Sequence, residues 1–134
     1  MNESVAQPRN GNDGTREYWV DGGCANHDAS GRRREAYGSW SDDVNVRRFN
    51  FPDAKTSNES EYMALIQLLS TLPDGAAPTI HTDSKLLTGQ LTRGWGVKAE
   101  NLKPLHKRAK ELMRLTRARL TWVPRQQILA KLGH

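Results

Sequence analysis

Apolar positions along this chain follow two different periods, and the switch between them predicts its architecture. Tyr18, Trp19 and Val20 make a short β-prone run that meets Asp21-Gly22-Gly23, residue types that signal a turn. His27 to Glu35 is polar and contains glycine, which predicts a loop. Ala36 to Ser41 and Val44 to Phe51 predict two further strands, joined by a Ser41-Asp42-Asp43 turn. The texture changes at Glu59 to Leu72. Met63, Ile66, Leu68 and Leu69 recur near helical spacing, so an amphipathic helix is expected there. Ser57 or Asn58 is its expected N-cap, with Glu61 in its first turn.

Pro73-Asp74-Gly75 ends that helix, and Pro78 to Thr82 predicts a brief strand. Asp83-Ser84 opens a short helix to about Leu91, broken by Thr92-Arg93-Gly94-Trp95-Gly96. Leu102, Leu105, Ala109, Leu112 and Met113 mark a third helix, Arg119 to Val123 a last strand, and Ile128 to Leu132 a final helix. The predicted order is β-β-β-α-β-α-α-β-α. It implies an α/β fold: a five-stranded mixed sheet, a three-strand antiparallel meander plus two parallel strands, flanked by helices. Residues 1–15, polar with one valine and no aromatic, read as a disordered tail ahead of a domain spanning 16–134.

Charge adds a partner class. Lys and Arg total 20 against 15 acidic residues, and the excess is clustered. Arg32, Arg33 and Arg34 form one group and Arg47 and Arg48 another. The segment from Lys98 to Arg125 carries nine Lys or Arg residues against Glu100 and Glu111. A polyanion is the natural partner of such a surface, although a solvated basic face accounts for it equally well. No apolar run approaches the roughly 18 residues of a spanning helix, so no membrane association is expected. The single cysteine, Cys24, has no partner for an internal disulfide, which fits a reducing, cytoplasmic setting.

Three acids then stand out by position. Asp21 follows the first strand, Asp83 follows the fourth, and Glu61 opens the first helix. Singly, each has an ordinary explanation: a turn aspartate, a helix cap, a favourable charge at a helix N-terminus. If the first and fourth strands lie side by side and parallel, both aspartates emerge at one end of the sheet, where the crossover helix brings Glu61. Three converging carboxylates repel unless a cation is present, and hard oxygen ligands suit Mg²⁺ or Mn²⁺.

These segments resemble the motifs of the ribonuclease H family. Tyr18-Trp19-Val20-Asp21-Gly22-Gly23-Cys24 is similar to its first strand and turn, and Thr82-Asp83-Ser84 to its third motif. Thr56-Ser57-Asn58-Glu59-Ser60-Glu61 looks like its Thr-Asn-Asn-x-x-Glu segment, with serine at the second position. The resemblance runs from about Glu17 onward. It implies endonucleolytic hydrolysis of the RNA strand of RNA/DNA hybrids by a monomer, with two divalent cations held by Asp21, Glu61 and Asp83. It also implies that Gly22, Gly23, Cys24, Asn26, Ser57, Asn58 and Ser84 line the substrate. Trp95 would then stack on a sugar, unless it anchors its loop, and Lys98 would meet a phosphate.

The chain departs from the family pattern after its last strand. Thr121-Trp122-Val123-Pro124-Arg125 matches the lead-in to the final helix, yet no acid follows Glu111. Lys131 or Leu132 stands near the place of the usual fourth carboxylate. His134 is a candidate substitute ligand, and Arg125 matches a position that in a compact subgroup offers Arg to the scissile phosphate. The basic protrusion of longer relatives is missing or minimal between Leu91 and Asn101. Trp19, Trp40 and Trp122 are expected in the core, and His27, His81, His106 and the Cys24 thiol are expected to be structural. Two rival readings follow: a weakly active or non-catalytic hybrid-binding module, and an integrase- or resolvase-like DNA nuclease on the same fold.

Overall fold

A computed structural model describes residues 16–25 and 35–133. The expected tail, Asn26, most of the His27–Glu35 loop and His134 lie outside the described residues. Strand β1 (Glu17–Ala25) pairs antiparallel with β2 (Glu35–Ser41), which pairs antiparallel with β3 (Val46–Asn50). Helix α1 (Ser57–Ser70) crosses to β4 (Thr79–Thr82), which lies parallel to β1 with Tyr18 opposite Ile80. Helix α2 (Lys85–Thr92), a 3₁₀ turn (Glu100–Leu102) and α3 (Lys103–Thr116) lead to β5 (Arg119–Trp122), parallel to β4. Helix α4 (Arg125–Leu132) follows. The sheet order β3-β2-β1-β4-β5 is the five-stranded mixed sheet expected from the sequence.

Alternation along β1 splits the core in two. Tyr18 and Val20 face a large cluster with Leu65, Leu68 and Leu69 of α1, Ile80 of β4, Leu87 of α2 and Leu112 of α3. Trp19 faces the opposite way, where Val123 and, from α4, Ile128 and Leu132 cover it. Helices therefore flank both faces, with α4 alone on the second among the described residues.

Asp21-Gly22-Gly23 is not a turn: β1 runs straight through it, pairing Asp21 with Ser39 and Gly23 with Tyr37. Neither glycine has positive φ. They are there because nothing larger fits. A Cβ on Gly22 would lie 2.5 Å from the Ser60 carbonyl group of α1, and one on Gly23 would lie 2.5 Å from the Tyr37 phenol oxygen.

Other expectations shift for similarly physical reasons. The N-cap of α1 is Thr56, not Ser57 or Asn58. Its hydroxyl accepts from Glu59 N (3.1 Å) while the Glu59 carboxylate accepts from Thr56 N (2.9 Å), a reciprocal capping box. Glu59 thus takes the first turn and Glu61 falls in the second. Val44 lies outside β3, in a turn where Asp42 Oδ1 accepts from Val44 N and Asn45 N. Helix α4 starts three residues before Ile128, at Arg125, and the αL residue Gly133 ends it. Trp19 and Trp40 are buried as expected, but Trp122, on an edge strand, is 41% exposed.

Candidate active site

The parallel pairing of β1 with β4 brings Asp21, in the middle of β1, alongside Asp83, the first residue past β4. Helix α1 can approach closely because Gly22 has no side chain, and that closeness delivers Glu61 to the same end of the sheet. Oxygen atoms of the three carboxylates lie within 4.8 Å of one another. Asp21 is buried and the other two are half-buried.

The electrostatics follow from this crowding. Burial and then the nearby Asp83 charge push the Asp21 carboxyl up to about 6, against relief from Arg125 and the Gly22 N–H. Burial pushes Glu61 up to about 7, opposed by a Ser84 hydroxyl bond and reinforced by Asp21 and Asp83. Arg125 Nη1 donates to Asp83 Oδ2 at 3.0 Å. Ser84 Oγ accepts from Leu87 N (3.0 Å) as the N-cap of α2, and the same hydroxyl lowers the proton affinity of Glu61. The Asp83 backbone is fixed by the Trp122 indole, whose Nε1 donates to Asp83 O at 3.1 Å. Crowded, proton-hungry carboxylates of this kind form a donor set suited to a hard divalent cation.

The sequence model for RNase H matches residues 14–126, most of the chain. This chain belongs to the ribonuclease H family. Solved relatives agree. The RNase H1 of the halophilic archaeon Halobacterium salinarum NRC-1 is 27% identical with a TM-score of 0.71, over 90% of this chain and 92% of that one. The N-terminal RNase H domain of Rv2228c from Mycobacterium tuberculosis, solved as a fusion with maltose-binding protein, is 23% identical with a TM-score of 0.66, over 87% and 88%. LC11-RNase H1, solved with an RNA/DNA hybrid, shares the fold at 20% identity and a TM-score of 0.64, over 86% and 89%.

In this ribonuclease H domain the acid cluster holds three residues, and among the described residues no fourth joins it. Leu132 is 1% exposed beneath Trp19, so its position belongs to the core. Lys131 Nζ bonds Asp43 Oδ1 at 2.7 Å and sits 4.5 Å from the Trp19 ring centroid. Ser57, Asn58 and Lys98 are exposed, whereas Ser84 is buried against the acids. Cys24 is half-buried, with its Sγ 3.9 Å from Lys55 O. Trp95 anchors its loop, its indole packed over Gly89 with no room for a Cβ there, while 46% of it stays exposed. His81 bonds Glu17 at 2.7 Å and stacks on Trp19, and His106 reaches the Gln90 carbonyl, so both hold structure. Sequence reading did not single out Tyr37, whose phenol crosses Gly23 to where Asp21, Asp83 and Arg125 all act on it. Only the cross-strand pairing reveals it.

Proposed function

We propose that this domain is a metal-dependent endoribonuclease that hydrolyses the RNA strand of RNA/DNA hybrids. Asp21, Glu61 and Asp83 would hold the cations, Mg²⁺ or Mn²⁺, both of which take oxygen ligands. The observation that carries the reading is the convergence of those three carboxylates, from three separate elements, within 4.8 Å at one end of the sheet. Bound divalent cations would supply an activated water and neutralise charge on the phosphate and the leaving 3′ oxygen. Two ions with substrate bound is the arrangement the family resemblance supports.

The chain's own residues have definable roles around that chemistry. Arg125 orients Asp83 through Nη1 and leaves guanidinium donors for the scissile phosphate. Ser84 caps α2 and favours the ionised, metal-binding form of Glu61. The β1 stretch from Gly22 to Cys24, with Asn58 exposed at the start of α1, would meet sugar edges, where 2′-hydroxyls distinguish RNA from DNA. Ser57, Trp95 and Lys98, all exposed, would add further contacts to the hybrid. A hybrid-bound relative, LC11-RNase H1, supports the substrate class. We take the unit to be residues 16–134, acting as a monomer in the cytoplasm. Its one cysteine and the lack, among the described residues, of a helix able to cross a membrane are consistent with this.

The test is incubation with labelled RNA/DNA hybrid, duplex RNA and duplex DNA in Mg²⁺, Mn²⁺ or EDTA. Metal-dependent cutting of the hybrid's RNA strand, abolished by Asp21→Asn, is the expected result. A second reading, a hybrid-binding module that cuts poorly, is favoured by the missing fourth acid: binding without cleavage under every metal condition would establish it. Cutting of duplex DNA would instead favour the integrase-like alternative.

A further inference from the structure

Beside the acid cluster, on the face that α4 only partly covers, lies a cavity of about 340 Å³ lined by Tyr37, Gly38, Ser39, Arg48, Phe49 and Asn50. Strand register explains its polar floor. Asp21 pairs with Ser39, which pairs with Arg48, and Gly23 pairs with Tyr37, which pairs with Asn50. Paired residues share a face, so two adjacent rows run from the active-site strand outward: Asp21–Ser39–Arg48 and Gly23–Tyr37–Asn50. Tyr37 leans over Gly23 toward the acids, making groove and cluster continuous.

The charge of the groove matches a polyanion. Arg48 is exposed, and its Nη2 donates to the Leu132 carbonyl at 2.9 Å, at the end of α4. That bond places the guanidinium at the negative pole of the helix and uses one of its five donors. Asn50, also exposed, offers a donor and an acceptor at the rim. Two strand spacings, roughly 10 Å, separate the Arg48 strand from the Asp21 strand, the reach of a nucleotide or two.

We propose that this groove is a subsite for the strand being cut, in which Arg48 and Asn50 hold the phosphate and sugar flanking the scissile nucleotide. The proposal rests on the reading of the domain as a hybrid nuclease, and it assigns the β2–β3 face a role that the acid cluster does not require. The groove orders the strand on one side of the cut only.

The experiment measures hybrid binding in EDTA by fluorescence polarisation, and KM in Mg²⁺, for wild type, Arg48→Gln and Asn50→Asp. Glutamine keeps an amide donor for the Leu132 carbonyl while removing the charge. Asn50→Asp leaves α4 untouched and serves if Arg48→Gln lowers the melting temperature. Each variant should weaken Kd about fivefold, and Arg48→Gln should reduce the slope of log Kd against log salt by about one. The loss should appear in KM. Trimming the hybrid's cut strand from the side that crosses the groove should bring wild type and variants to the same Kd, whereas trimming the other side should not. Unchanged Kd and salt slope in both variants, with wild type binding hybrid normally, would overturn the subsite. A wild type that neither binds nor cuts hybrid would overturn the functional reading, and the subsite with it.

Discussion

Arg125 Nη1 stands 3.0 Å from Asp83 Oδ2, and the same guanidinium also holds down the proton affinity of Asp21 and Glu61. One cation therefore supports the whole acid cluster from the first turn of α4. Replacing Arg125 with Ala should raise the proton affinity of Asp21 and Glu61 further and move the acid limb of the pH–rate profile upward. A loss of about tenfold in kcat, or ~1.4 kcal/mol in barrier, is expected at pH 7, with partial recovery at pH 8.5. Arg125→Lys should keep most of the pH effect and lose the fork geometry. An unshifted profile in Arg125→Ala would show that Arg125 serves only as a phosphate contact.

Stability of the metal-free protein should depend on pH in a definite sense. Asp21 and Glu61 have folded values near 6 and 7, above their ordinary values of 3.8 and 4.5. The folded state then binds more protons than the unfolded chain across that interval, so these two groups reduce stability as pH rises from about 4 to about 7. In EDTA the melting temperature should be lower at pH 8 than at pH 5.5. Mg²⁺ should raise it more at pH 8, where the carboxylates are ionised and bind the cation best. Asp21→Asn should raise the melting temperature in EDTA at pH 8 and shrink the Mg²⁺ shift. Calorimetric scans at the two pH values decide the matter.

The Ser84 hydroxyl accepts from Leu87 N at 3.0 Å and also favours the ionised form of Glu61. Ser84→Ala should lose the cap and about 1 kcal/mol of stability, read by urea denaturation. It should also weaken Mg²⁺ binding, because losing the hydroxyl raises the proton affinity of Glu61. Ser84→Thr should restore both. Restoration of stability without restoration of Mg²⁺ affinity would mean that the hydroxyl is a cap and nothing more.

The order of elements and the sheet were legible because each apolar run has a clean period, and Val20, Leu65 and Ile80 all landed in the core those periods imply. The grouping of Asp21, Glu61 and Asp83 followed once β1 and β4 were taken as parallel neighbours. What escaped was set by distant partners. Asp21-Gly22-Gly23 has turn composition, but its glycines answer to Ser60 and Tyr37, one on a helix and one on the next strand. Trp122 reads as core, yet β5 is an edge strand and the indole spans outward to Asp83 O. The N-cap was readable: Thr56 and Glu59 stand at capping-box spacing, a stronger signal than the composition of Ser57 and Asn58.

Gly22 and Gly23 should differ when changed to alanine. The obstacle at Gly22 is the Ser60 backbone, which can move only with α1, so Gly22→Ala should cost about 2 kcal/mol and displace Glu61 from Asp21. At Gly23 the obstacle is the end of the Tyr37 side chain, which can swing aside. Gly23→Ala should therefore fold nearly as well as wild type, with its damage confined to hybrid binding. Equal destabilisation of the two variants in urea would contradict this difference in packing.

Restoring a fourth acid on α4 should fail at both positions where the family pattern would put one. Leu132 is enclosed with Trp19, Val123 and Ile128, so Leu132→Asp buries a carboxylate among apolar groups and should cost about 4 kcal/mol. Lys131 points to the β2–β3 turn, bonded to Asp43 and lying over Trp19. Lys131→Asp exchanges that pair for two like charges and should cost about 1 kcal/mol. Because residue 131 is directed toward Asp43, the new carboxylate should leave the Mg²⁺ concentration for half-maximal binding unchanged. Titration calorimetry with Mg²⁺ on Lys131→Asp checks this directly: a tenfold tighter site would mean that α4 carries residue 131 to the acid cluster, and that the cluster's three-carboxylate form reflects a single side-chain change.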